Sequence, residues 1–127
     1  MQETIKSYTE LEVWKQARGL TKEIYQATAA FPKEEIFGLV NQMRRSAVSI
    51  PSNIAEGCGR NYAKDSIQFF YIARGSLYEL ETQLYVSFDL QYFDKNLLNK
   101  LLGQLQNSRK LLNGFIRYYQ QLKDIKQ

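Results

Sequence analysis

The polar side chains of this 127-residue chain that are able to do chemistry are mainly lysine, arginine, tyrosine and carboxylate, and histidine is absent. Without histidine the usual general base near neutral pH is missing, together with the commonest metal ligand. Ser-His and Cys-His nucleophile pairs are excluded for the same reason. Cys58 is the single cysteine, so no thiolate cluster and no intramolecular disulfide can form within one chain. Glu79 and Glu81 are two apart on a predicted helix and face different ways. Gly57-Cys58-Gly59-Arg60 resembles the start of a phosphate loop, but no strand pattern precedes it and no Gly-Lys-Ser follows. It reads as a helix stop. Catalysis, metals and cofactors therefore have no positive signal, and the expectation is a non-enzyme.

The cations are more informative. Net charge is +4, and from Lys95 onward five lysines and two arginines face one acid, Asp124. A basic face on one helix is the electrostatic footprint of a phosphate-binding surface. The candidate nucleic-acid contacts are Arg44, Arg45, Lys100, Arg109, Lys110 and Arg117. Lys110 and Arg117 share a face by seven-residue spacing. The alternative for Arg44, Arg45, Arg60, Lys64 and Arg74 is a structural ion pair with Glu34, Glu35, Glu79 or Glu81.

Four helices must position these groups, because the hydrophobic period is helical almost throughout. The first covers about 11–30, with the stripe Val13, Ala17, Leu20, Ile24, Ala27, Phe31. The second covers about 34–58, with Ile36, Val40, Met43, Ala47, Ile50, Ile54, Gly57. Pro51 lies inside it and predicts a kink or local unwinding. The third covers about 63–90, with Phe70, Ala73, Leu77, Leu80, Leu84, Ser87, and Asn61 or Asp65 as its cap. The fourth covers about 95–123 after the cap Asp94, with Leu98, Leu101, Leu105, Ser108, Leu112, Phe115, Tyr119, Leu122. Alternating spacings of three and four make shallow-angle seams, and short connections make consecutive helices antiparallel. The expected architecture is all-α: one up-down-up-down, antiparallel, left-handed four-helix bundle.

Two stripes fall outside these seams. Tyr71, Tyr78, Tyr85 and Tyr92 recur every seven residues, beside the core line of the third helix. They are either an ordinary flank with wet hydroxyls or a subunit interface, where tyrosine is enriched. Gln42, Ser46, Ser49, Asn53, Glu56 and Arg60 form a polar line on the second helix. It is either a solvated face or a hydrogen-bonded network that fixes register between subunits. Ser46, Ser49, Asn53, Glu56, Tyr71, Tyr78 and Tyr85 are the candidate interface residues. The first ten residues are polar, with no apolar core of a signal peptide. The longest uncharged run, Ser46 to Ala55, is far short of a membrane span. A cytoplasmic protein without a membrane partner is expected.

Several ordered motifs carry a resemblance. Leu11-Glu12-Val13-Trp14-Lys15-Gln16-Ala17, the segment from Phe31 to Leu39, the segment from Gln42 to Gly57 and Ile72-Ala73-Arg74-Gly75-Ser76-Leu77-Tyr78-Glu79-Leu80-Glu81-Thr82 resemble the bundle proteins encoded in 23S ribosomal RNA intervening sequences. The similarity runs from about Tyr8 to Leu122. It implies a ring-like homopentamer. That family is in turn similar to the accessory protein of diversity-generating retroelements, which implies RNA or DNA as a partner by analogy. The alternative is a protein-protein scaffold ring without nucleic acid.

Overall fold

The computed structural model describes residues 7–126. Four α-helices account for most of them: α1 Glu12–Thr28, α2 Leu39–Cys58, α3 Ala63–Asp89 and α4 Lys95–Lys126. Short 3-10 turns stand at Tyr8–Glu10 and Lys33–Glu35, and there is no strand among the described residues.

The helices pack cyclically, α1 on α2, α2 on α3, α3 on α4, and α4 back on α1. Paired residues run in opposite directions along each consecutive seam. On α1–α2, Thr21 meets Ala47 and Thr28 meets Arg44. On α2–α3, Ser46 meets Glu79 and Ser49 meets Ser76. On α3–α4, Arg74 meets Asn113 and Tyr71 meets Gln120. The bundle is therefore up-down-up-down. Its core is the set of predicted stripes: Leu20, Ile24, Met43, Ile50, Leu77, Leu84, Leu105 and Leu112 are each at most 1% exposed. Near the end of α4 the buried position passes from the expected Phe115 to Ile116. A helix of 3.6 residues per turn drifts about 20° per heptad away from a strict seven-residue line.

Three expectations need correction. The second helix begins at Leu39 rather than near residue 34, because the chain makes a 3-10 turn and then a hinge at Gly38. The Glu35 carboxylate accepts the Leu39 N–H there at 3.1 Å. Ile36 thus falls outside the helix and is 55% exposed instead of buried. Of the kink or local unwinding expected at Pro51, the unwinding does not occur: α2 is helical without interruption from Leu39 to Cys58. Proline cannot donate to the carbonyl four residues back, and that carbonyl, on Ala47, instead accepts the Thr21 hydroxyl of α1 at 2.9 Å. Neither Asn61 nor Asp65 caps α3; its N-cap is Tyr62, which makes no side-chain cap bond.

The remaining ends obey local rules. Asp94 Oδ1 accepts the Leu97 N–H at 2.9 Å, as a good N-cap should. α3 closes in a Schellman turn, with Tyr92 N–H on the Ser87 carbonyl and Gln91 N–H on the Phe88 carbonyl. Gln91 supplies the left-handed residue, at φ 64°.

Candidate nucleic-acid interface

The six predicted cations do not share one face. Arg44 and Arg45 lie on α2, the other four on α4, and these two helices sit on the bundle diagonal. Within α4, Lys100 and Arg109 are nine residues apart and point to opposite flanks. Lys100 reaches Glu23 of α1 at 3.4 Å. Arg109 donates through two nitrogens to Glu81 of α3, at 2.9 and 3.4 Å, and lies over the Tyr78 ring. Glu81 holds the Arg109 guanidinium firmly in its charged form, against the opposing effect of burial. Both cations are taken by carboxylates. Lys110 and Arg117 are exposed and make no ion pair with any described residue.

Arg44 is also committed. Its Nε donates to Thr28 Oγ1 at 3.0 Å and its Nη2 to the Tyr25 carbonyl at 3.2 Å, with the guanidinium over the Tyr25 ring. A cation here also meets the negative end of the α1 dipole. Arg45, one residue on, is exposed and without an ion pair among the described residues.

The fold gives Arg45 different company from that expected. On α1, Lys15, Arg18 and Lys22 follow spacings of three and four and so share a face. All three are exposed and make no ion pair with a described residue. Arg18 and Lys22 line a groove of about 610 Å³ between α1 and α2, with Tyr8, Trp14, Thr21, Val48, Pro51, Ser52 and Ala55. A second groove, through Val48, adds Tyr25, Asn41, Arg44, Arg45 and Ser49; Arg45 also borders a small polar pocket that Glu79 lines on the α3 side. Among the described residues no carboxylate lines either groove. The α1 cations and Trp14 were missed as site residues in the sequence. The readable signal was the Lys15, Arg18, Lys22 spacing beside an aromatic.

The predicted interface stripes are partly consumed inside the chain. Ser46 donates to Glu79 Oε1 at 3.0 Å, Ser76 donates to Ser49 Oγ at 2.9 Å, and Asn53 donates to the Ser49 carbonyl and hydroxyl. The polar line of α2 is thus a network, but one that joins α2 to α3 of one chain. Gln83 Oε1 is left without a partner there, at the wall of a small polar pocket. Glu56 pairs with Arg60 at 2.6 Å. Tyr71 accepts from Gln120 at 3.0 Å and carries Arg74 over its ring, so it leans on α4. Tyr78 and Tyr85 are about half exposed, with Ile72 and Val86 beside them. Tyr92 leaves the stripe: its hydroxyl donates to Glu35 at 2.6 Å, tying the α3–α4 turn to the α1–α2 turn.

Chemistry beyond binding has little to work with. Among the described residues no group of three or more His, Cys, Asp or Glu is placed to hold a metal. Burial pushes the Cys58 thiol up, away from the reactive thiolate. No helix of the described residues is long and apolar enough to cross a membrane.

Fold and surface together define an all-α four-helix bundle with a basic α1–α2 seam that no acid lines among the described residues. The model of the 23S rRNA-intervening sequence proteins matches residues 9–114, and the chain belongs to that family. A crystal structure of a protein of unknown function from the S23 ribosomal protein family of Bacteroides thetaiotaomicron superposes with a TM-score of 0.74 at 22% identity. The match covers 82% of this chain and 97% of that one, and at this identity it speaks for the fold alone. Among curated proteins none matches, and neither of the two matches indicates a catalytic family.

Proposed function

We propose that this chain is a non-catalytic, cytoplasmic nucleic-acid-binding bundle that works as a ring-like homopentamer of left-handed bundles. The observation that carries the binding reading is the α1–α2 seam. Among the described residues, Arg18, Lys22 and Arg45 stand along it without an ion pair, and no acid lines its grooves. Unpaired cations on one face attract phosphates and release counterions, and repetition around a ring multiplies a modest subunit charge. Lys110 and Arg117 provide a second, weaker patch on α4. The exposed run of Ile72, Tyr78, Tyr85 and Val86 on α3 supports self-association, because a monomer rarely leaves such a strip in water.

The test is a titration with a ribosomal RNA fragment, a DNA duplex and a single strand at low and physiological salt. Tight binding that weakens steeply with salt is expected; no binding even at low salt rejects the reading. Light scattering should give a mass several times the 14.9 kDa subunit. A monomer at every concentration rejects the ring.

The second reading, a protein-binding scaffold, is favoured by one feature. Phe37, at the bend between α1 and α2, is 91% exposed next to Ile36. A protein partner that survives nuclease treatment and is lost on Phe37→Ser supports that reading over the first.

A further inference from the structure

The α1–α2 groove combines cations with aromatic side chains. Trp14, the only tryptophan of the chain, is half-buried against the core and half-open to the groove. Tyr8 meets it edge-on, with centroids 5.4 Å apart, and the Arg18 guanidinium lies over the indole at 5.4 Å. Lys22 stands one turn beyond Arg18. Pro51, Val48 and Ala55 form an apolar opposite wall with Ser52.

Phosphate alone would need only the cations. A planar group with a π-face is what the Trp14–Arg18 stack adds, since bases stack on both indole rings and guanidinium planes. A duplex offers phosphates but keeps its base faces covered. The unpaired cations continue past Val48 to Arg45, as a track for a backbone carrying more than one phosphate.

We propose that this groove binds single-stranded nucleic acid, one base inserting against the Trp14–Arg18 stack while Lys22 and Arg45 hold the flanking phosphates. The proposal rests on the nucleic-acid reading above and deepens it, by naming the strandedness and the contact.

The indole reports on its own site. The purified full chain is titrated at low salt with an oligothymidine of about 20 nucleotides, the length covering a typical single-strand site, and with the matching duplex. Anisotropy of labelled nucleic acid measures binding. Emission of the protein, with unlabelled nucleic acid, measures stacking. Single strand should quench Trp14 in step with the anisotropy, and the duplex should leave the emission unchanged. Trp14→Leu should weaken single-strand binding roughly tenfold, the loss expected for one stacked base. Trp14→Phe, which keeps a ring and the packing beneath it, should restore most of that affinity and shows that the loss is not misfolding. Binding with unchanged indole emission and unaffected Trp14 variants overturns the groove proposal and leaves the nucleic-acid reading standing. Equal quenching by the duplex overturns the preference for a single strand. No binding by anisotropy removes the broader reading and this one with it.

Discussion

Both seams that flank α2 are crossed by hydrogen bonds, but they differ in how tightly they close and in the charges left beside them. Toward α3, Ser46, Ser49, Asn53, Ser76 and Glu79 bond to one another, and the helices close tightly. A Cβ on Gly57 would stand 2.4 Å from Phe70 Cε1 and 2.9 Å from the Ser66 carbonyl oxygen. Toward α1, the contact is looser. A groove of about 610 Å³ remains, and the cations on its banks make no ion pair with a described residue. The first seam spends its hydrogen bonds on folding. The second leaves Arg18, Lys22 and Arg45 without an ion pair among the described residues, and unpaired charge is what a partner can use. Ion pairs that are already satisfied, such as Arg109–Glu81, offer far less to a phosphate.

The largest expected effect is on the tight seam. Gly57→Ala forces Phe70 and the α3 backbone away, which should cost about 3 kcal/mol of stability by the penalty for overpacking. Denaturant unfolding measures it. A neutral result would mean that α2 and α3 are not in close contact at that end.

Single hydroxyls come next. Ser49→Ala should cost about 1 kcal/mol, the net worth of an ordinary hydrogen bond. Thr21→Val should cost a similar ~1 kcal/mol, because it leaves the Ala47 carbonyl opposite Pro51 without a donor. Equal stability of Thr21→Val and the parent chain would show that water serves that carbonyl as well. The two variants sharpen the comparison, since one hydroxyl belongs to each seam.

The smallest effect is a pH dependence at the end of the bundle. The Tyr92 hydroxyl and the Leu39 N–H hold the Glu35 carboxyl below the usual carboxylate range. A carboxylate depressed in the folded state stabilises above its unfolded pKa, and that contribution is lost as pH falls through the folded value. The same contact pushes the Tyr92 phenol up. A phenol with a raised pKa stabilises below its unfolded value, and this part fades as pH rises through the folded one. Tyr92→Phe should flatten the acid limb of a plot of stability against pH. An unchanged acid limb would mean that the two turns are not linked through this bond.

Most of the fold was readable from periodicity. α1, α3 and α4 end within a few residues of expectation, because long stripes such as Phe70 to Ser87 leave one helical solution. The start of α2 was not readable. Ile36 sits in perfect register with Val40 and Met43, and only the bend between Pro32 and Gly38 takes it out of the helix. The local unwinding expected at Pro51 does not occur, for a different reason: the Ala47 carbonyl left without a donor is answered by Thr21, on another helix. The candidate site was legible only in part. Counting charge along the chain favours α4, yet the fold spreads those cations around the helix and ties Lys100 and Arg109 to acids. The seam that keeps its charges is assembled from Arg18 and Lys22 with Arg45, distant in sequence and interleaved with Glu12 and Glu23. Linear counting averages such a cluster away; the spacing of Lys15, Arg18 and Lys22 was readable, but the packing of α1 on α2 is what brings Arg45 to it.

The central claim is that the α1–α2 seam, not α4, meets the nucleic acid, and one paired measurement addresses it. Affinity for a single strand is measured across salt for Arg18→Glu/Lys22→Glu/Arg45→Glu and for Lys110→Glu/Arg117→Glu, each beside the parent chain. The seam variant should lose about 100-fold at low salt and show a shallower salt slope by about three phosphate contacts, while its helicity is unchanged. The α4 variant should lose only a few-fold, about the effect of weak long-range attraction. The reverse ranking, with the α4 variant losing the larger share, would contradict the account.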